Sequence, residues 1–196
     1  MANINFAFGL RPVRQVSGRP YVGADRMYYV PASDGTALFI GDPVIKVEST
    51  DPNGGPQCTR ATAGSTNRVT GVVTGVFPFN TTTGALGVGY RPASTAMYVY
   101  VCDDPDMLFE IQENASGGAL PLSAVGQNAS LASGSGSTSS RLSGFQLDAS
   151  TVATTSTLQL SIVEFAARSD NTPASANAKV LVRINSHTEA PASAGV

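Results

Sequence analysis

The stretch Ala96–Gln112, AMYVYVCDDPDMLFEIQ, decides how the rest of the chain is read. Met97 to Cys102 is an unbroken apolar run, rich in aromatic and branched side chains. Met107 to Gln112 alternates, with Phe109 and Ile111 directed inward and Glu110 and Gln112 outward. Between them stands Asp103-Asp104-Pro105-Asp106. Proline lacks an N–H and biases the residue before it away from helix, and aspartate favours turns. Two runs of strand composition about such a break read as neighbouring antiparallel strands. The first is apolar on both faces and is expected in the middle of the fold. No catalytic motif lies here, so the centre of the chain reads as structural core.

Working outward, the same signals recur. On the N-terminal side, Arg26 to Val30 reads as a strand stopped by Pro31, followed by Ala37 to Ile40 and Val44 to Glu48. Arg68 to Phe79 is a further strand whose Gly71 and Gly75 mark a bend or a close backbone approach. On the C-terminal side, Gly144 to Asp148 is a short strand. In Thr157 to Phe165, Leu158, Leu160 and Ile162 alternate with Gln159 and Ser161. Phe165 falls out of phase with them, which predicts a bulge or two-sided burial near Val163. Lys179 to Asn185 places Val180, Val182 and Ile184 inward. Residues 50–64, 81–92 and 169–178 read as loops, and no stretch of ten or more residues carries a helical period. The expectation is an all-β fold: a single β-barrel or jelly-roll-like sandwich, with an extended N-terminal arm and long ordered loops.

Two regions depart from the strand pattern. Residues 1–26 hold Arg11, Arg14, Arg19 and Arg26 against Asp25 alone, punctuated by Pro and Gly. Ile4, Phe6 and Phe8 alternate within them. The bland reading is a frayed terminus. The sharper one is an extended arm that adds a short strand to a partner, with Ile4, Phe6, Phe8, Arg11, Arg14 and Arg19 as partner-binding residues. Residues 27–196 form the body. Within it, 115–143 is rich in Gly and Ser, a linker composition. Yet Leu120, Leu122, Val125, Leu131 and Leu142 recur through it, so it is expected to lie against the body or an adjacent subunit.

Composition narrows the function. At 196 residues the chain suits one domain with a real core. Charged residues make up 13 %, about half the usual share. The net charge of −2 supplies no field to attract nucleic acid. Ten Arg against two Lys fits assembly, since Arg is enriched and Lys depleted at protein interfaces. The first residues show no export signal, so Cys58 and Cys102 are expected as reduced thiols made in a cytoplasm, a Cys58–Cys102 disulfide being the alternative. No run approaches the roughly 18 apolar residues of a membrane span. The Asn-x-Ser/Thr triplets at Asn80, Asn114 and Asn128 are chance matches in an unexported chain.

Catalytic constellations are hard to assemble from these residues. His187 is the single histidine, expected at the surface just past the last strand, with no ligand spacing around it. Either thiol would need that same His187 as its base. Asp103, Asp104 and Asp106 match no EF-hand spacing and read as a solvated turn. Glu110 and Glu113 read as surface residues rather than an acid–base pair. No phosphate loop, nucleophile elbow or zinc helix motif occurs. The expectation is a protein that is not an enzyme and uses no metal or cofactor.

The pattern VGQNASLASGSGSTSSRLSGFQLDAS (Val125 to Ser150), with TSTLQLSIVEF, SDN (Ser169 to Asn171) and VLVRINSH (Val180 to His187), resembles small structural proteins of tailed bacteriophages. It is similar in particular to head decoration, or cement, proteins. FEIQEN (Phe109 to Asn114) and ALFIGDPV (Ala37 to Val44) share that style. The resemblance implies a β-rich body with extended arms or loops. It further implies a virion protein that binds the outside of the head lattice and bridges neighbouring capsomers. Its partners would be the major capsid protein and its own copies, as a dimer or trimer, with neither nucleic acid nor membrane contacted directly. The alternatives are a tail, fibre or other virion interaction protein, or a small capsid shell protein. The major shell fold of tailed phages needs a long spine helix that this chain lacks.

Overall fold

In the computed structural model, which describes residues 3–196, eleven strands and one short 3-10 turn make up the regular structure. The strands are Arg11–Gln15 (β1), Arg26–Val30 (β2), Pro43–Thr50 (β3), Pro56–Arg60 (β4), Gly71–Val76 (β5) and Met97–Cys102 (β6). They continue with Met107–Gln112 (β7), Asn128–Ala132 (β8), Gln146–Ala153 (β9), Leu160–Phe165 (β10) and Lys179–Ile184 (β11). The fold is all-β, and none of its helices is long and apolar enough to cross a membrane among the described residues.

Five strands close into a barrel in the order β2-β4-β3-β5-β6. The other six form a sheet in the order β1-β7-β11-β10-β8-β9. A bridge between Glu113 and Leu147 brings the end of β9 back beside the end of β7, so this sheet rolls up on itself. The body is thus a barrel with a second, rolled sheet rather than one sandwich. One apolar cluster spans both: Val69, Val72 and Cys102 of the barrel side pack with Phe109, Leu147 and Ile162 of the sheet. A smaller cluster, including Tyr28, Val30, Val44 and Val99, fills the barrel.

The Asp103–Asp106 break is not a hairpin. β6 pairs with β2 and β5, and β7 pairs with β1 and β11. Each strand already has a neighbour on both edges, so the two cannot pair with each other. The acidic turn carries the chain from barrel to sheet. Its aspartates are structural: Asp103 pairs with Arg26 (3.1 Å) and accepts the Tyr28 hydroxyl (2.9 Å), and Asp104 accepts the Gln15 amide (2.6 Å). Of the two strands, β7 is the one buried on both faces, while Tyr98 and Tyr100 of β6 are half-buried.

The expected bulge is present. The β10–β11 register shifts between Ile162 and Glu164, turning Val163 outward. Two strands lie where loops were expected: β4 within residues 50–64, and β8 within the Gly/Ser-rich segment. That segment is packed on the body, with Leu120 and Leu131 buried and Leu122 and Val125 exposed. Gly136 belongs there for steric reasons, since a Cβ would sit 2.1 Å from the Phe39 ring.

Residues 11–15, placed in an arm by the sequence reading, are the edge strand β1 of the six-stranded sheet, and Leu10 is buried in the main core. The five-residue run was too short to show its period, and β7 supplies the pairing. The terminus therefore joins the main core at Leu10.

Candidate interaction surface

Residues 3–9 lie across the outer face of the rolled sheet and are fixed at both ends. The Asn3 amide donates to the carbonyls of Thr172 (3.0 Å) and Ala176 (3.1 Å), and its Oδ1 accepts the Thr172 N–H (2.7 Å). At the other end Gly9, with φ of +72°, packs on Gly41; a Cβ at Gly9 would stand 2.3 Å from the Gly41 carbonyl oxygen. The next residue, Leu10, donates its N–H to that same carbonyl (3.0 Å).

Between these anchors the segment is held by Gln112, the last residue of β7. Its Oε1 accepts the Phe6 N–H (2.9 Å), and its Nε2 donates to the Ile4 carbonyl (2.7 Å). One carboxamide thus pairs residues i and i+2 as a neighbouring strand would. In an extended chain the backbone groups of alternate residues point to opposite edges. Asn5 and Ala7 make no backbone hydrogen bond among the described residues, which leaves the outer edge open. Ile4 is 78 % exposed and Phe6 53 %. Gln112 does face away from the core, as its alternation requires, yet it is buried beneath this segment.

The predicted arginines separate into two kinds. Arg11 pairs with Glu110 (2.6 Å) and lies over the Phe8 ring (5.6 Å), and Arg14 pairs with Glu164 (2.7 Å). Both are thus held by the chain's own carboxylates. Arg19 sits in the turn after β1, its carbonyl accepting the Gln15 N–H (2.8 Å), and takes part in none of the ion pairs among the described residues. The Arg11 pair belongs to a network: Arg168 joins Glu110 (3.1 Å) and Asp170 (2.8 Å), and Lys179 joins Asp170 (3.1 Å). Hydrogen bonds from Arg168 and Lys179 hold the Asp170 carboxyl well below the usual carboxylate range. Glu110, expected at the surface, is buried as the shared acceptor of two guanidinium groups.

Two open clefts of about 400 and 440 Å³ adjoin the segment and share Phe8, Arg11 and Leu142. The first reaches in to Tyr21, Ile40 and Val73; the second is bordered by Ile4, Phe6 and Lys179. The structure therefore brings Ile4, Phe6, Phe8 and Arg11 to one patch. Arg14 and Arg19 lie outside those two clefts. Sequence reasoning missed Gln112, Arg168 and Lys179 as parts of this surface, because Gln112 reaches Ile4 and Phe6, and Arg168 reaches Glu110, across more than fifty positions, and no local period marks such pairings.

The groups considered for chemistry are placed differently from expectation. His187 is fully buried rather than at the surface, because the chain after β11 runs back into a bridge with Val69. Glu113 is also fully buried, its carboxylate accepting the N–H groups of Ala178 (3.1 Å) and Ala115, and burial raises its pKa. Cys58 and Cys102 are free and buried, and burial pushes both thiols up to about 12. Among the described residues no three His, Cys, Asp or Glu side chains cluster to hold a metal ion. No protein-family model matches this chain, and neither does any curated protein or solved structure.

Proposed function

We propose that this chain is a structural protein of a tailed-bacteriophage virion, not an enzyme, which binds the outside of the head lattice, bridges neighbouring capsomers and stabilises the head. Its partners in this reading are the major capsid protein and its own copies, as a dimer or trimer. It is made in the host cytoplasm and resides on the capsid surface, touching neither nucleic acid nor membrane directly. The segment before Leu10 acts as the arm, and the barrel and rolled sheet serve as the platform that a jelly-roll-like body provides.

The observation that carries the proposal is the Ile4–Phe8 segment. It keeps an isoleucine and a phenylalanine in water at a fixed place, with one backbone edge open. Preorganisation of this kind lowers the ordering cost of association. Burying each large side chain contributes roughly 1.5–3 kcal/mol, and the open edge can take a partner's strand. Arg11 and Arg14 already have carboxylate partners, so the apolar anchors rather than the cations carry the contact. The bacteriophage assignment itself rests on the resemblance of the strings quoted above.

Electron microscopy of the intact particle tests the assignment. The expected result is density of this fold on the outer head surface, over the boundaries between capsomers, with residues 4–8 against a neighbour. Density confined to the tail, or a shell built from this chain alone, would overturn it in favour of the other virion roles.

A further inference from the structure

His187 sits in the seam between the barrel and the rolled sheet. Residues 186–189 follow β11, and residues 67–70 lead into β5. The two segments are laced together by Val69 N–H to the Ser186 carbonyl (3.1 Å) and Thr188 N–H to the Val69 carbonyl (3.0 Å). The Ser186 hydroxyl donates to the Asn67 carbonyl (2.8 Å), and the Arg68 guanidinium to the His187 carbonyl (3.1 Å). Lys46 of β3 adds an ion pair with Glu189. The imidazole lies inside this lacing with 0 % exposure. Its Nδ1 accepts the Glu189 N–H (2.9 Å), so the neutral ring carries its proton on Nε2, which makes no hydrogen bond of ordinary geometry among the described residues.

We propose that His187 is an acid-sensitive clasp: neutral, it closes the seam, and on gaining a second proton it releases residues 186–189 from the barrel. The reason is donor–acceptor geometry. A proton on Nδ1 turns the acceptor of the Glu189 N–H into a donor facing a donor, so the turn must open. The new charge would also lie out of contact with water, where it is costly. The charged groups around the ring do not remove that cost. Glu189 is taken by Lys46, Asp103 is taken by Arg26 and the Tyr28 hydroxyl, and Arg68 brings a further positive charge. Burial lowers the imidazole pKa, and the backbone groups of Thr70 and Asp103 with the carboxylates of Glu189 and Asp103 oppose it without cancelling it. A base with a lowered folded-state pKa contributes stability that is complete above its unfolded value of about 6.5 and is lost as the pH falls toward the folded value. The seam is therefore closed at neutral pH and loosens below it. The inference stands apart from the proposed virion role.

The test uses the intact protein. His187 is the only histidine, so its ring resonances in a proton NMR spectrum report one residue. Amide exchange at Val69, Thr188 and Glu189, corrected for intrinsic rates, is followed from about pH 7.5 to about 4.5, a range that brackets the ordinary imidazole value. The ring should titrate below about 6.5, and seam protection should fall with the same midpoint, by up to about tenfold per pH unit, while Phe109 and Val182 keep theirs. His187→Asn, whose side-chain oxygen can accept the Glu189 N–H without titrating, should show no such fall. A ring that titrates at its ordinary value overturns the proposal. So does seam protection that is constant through the ring's midpoint, or an Asn variant that loses protection as the wild type does. Should the Asn variant fail to fold, the coincidence of midpoints in the wild type decides alone.

Discussion

Gln112 holds Phe6 by a side chain where a β-sheet would use a backbone. Its carboxamide takes the Phe6 N–H at 2.9 Å and gives its own N–H to the Ile4 carbonyl at 2.7 Å, so the segment is ordered while its outer edge stays open. A backbone strand in that place would fix the segment equally well but at the cost of an extra element. Gln112→Ala should lose both bonds and destabilise the segment by about 1–2 kcal/mol. Amide exchange measures this: the Phe6 N–H should lose protection while amides of β7 and β11 keep theirs.

Gly9 and Gly41 meet backbone to backbone, which is why neither position accepts a side chain. Gly9→Ala adds a Cβ 2.3 Å from the Gly41 carbonyl oxygen, at a positive φ. Overpacking and the left-handed backbone together should cost about 2–4 kcal/mol, read as a lower midpoint in urea denaturation.

Arg91 is fully buried and ties the loops at one end of the barrel. Its guanidinium donates to the carbonyls of Thr95 (2.7 Å), Pro31 (2.7 Å), Asp34 (2.8 Å) and Thr36 (2.5 Å). A lysine has one ammonium and cannot span these acceptors. Arg91→Lys and Arg91→Met should both destabilise the fold, on the order of 3–5 kcal/mol for the apolar variant, which removes all four guanidinium hydrogen bonds at once; the Pro31 and Asp34 carbonyls keep the N–H groups of Asp34 and Ser94. Thermal unfolding compared with the wild type checks this.

Cys58 and Cys102 should be unreactive in the folded protein. Burial pushes both thiols up to about 12, so almost no thiolate exists near neutral pH. Labelling with a small alkylating reagent should proceed only as fast as the protein opens, and fast labelling at either site under native conditions would contradict the burial.

Much of the fold was legible because it is written in period two. The sequences of β3, β7, β10 and β11 each alternate, β2 was marked by its apolar run stopped at Pro31, and the bulge at Val163 was visible as the phase slip of Phe165. β4 and β8 were not: PQCTR carries no apolar alternation, NASLA offers only Ala129 and Leu131 in phase within a Gly/Ser-rich segment, and the two are held as strands by pairing with β3 and with β9 and β10. The Asp103–Asp106 turn shows what local chemistry leaves open. Proline and aspartate announce a reversal, but whether the flanking strands pair depends on edges already taken by β2, β5, β1 and β11. Ile4, Phe6 and Phe8, the proposed anchors, could be picked out by their alternation. The pairing of Arg11 and Arg14 within the chain, and the burial of His187, depend on residues more than ninety positions away and left no trace nearby.

Occupancy of purified heads, stripped of this protein and offered it back, tests the central claim most directly. Point variants serve better than a long truncation, which would also remove β1 and the buried Leu10. Ile4→Glu with Phe6→Glu leaves the Gln112 bonds to the backbone in place and places charge where the anchors were. Losing two buried apolar side chains, at roughly 1.5–3 kcal/mol each, should lower head affinity at least a hundredfold with the body still folded by circular dichroism. Raised salt should weaken wild-type attachment only modestly, since Arg11 and Arg14 are already paired within the chain. If the double variant decorates heads as fully as the wild type, the Ile4–Phe8 segment is not the contact and the account of this surface is wrong.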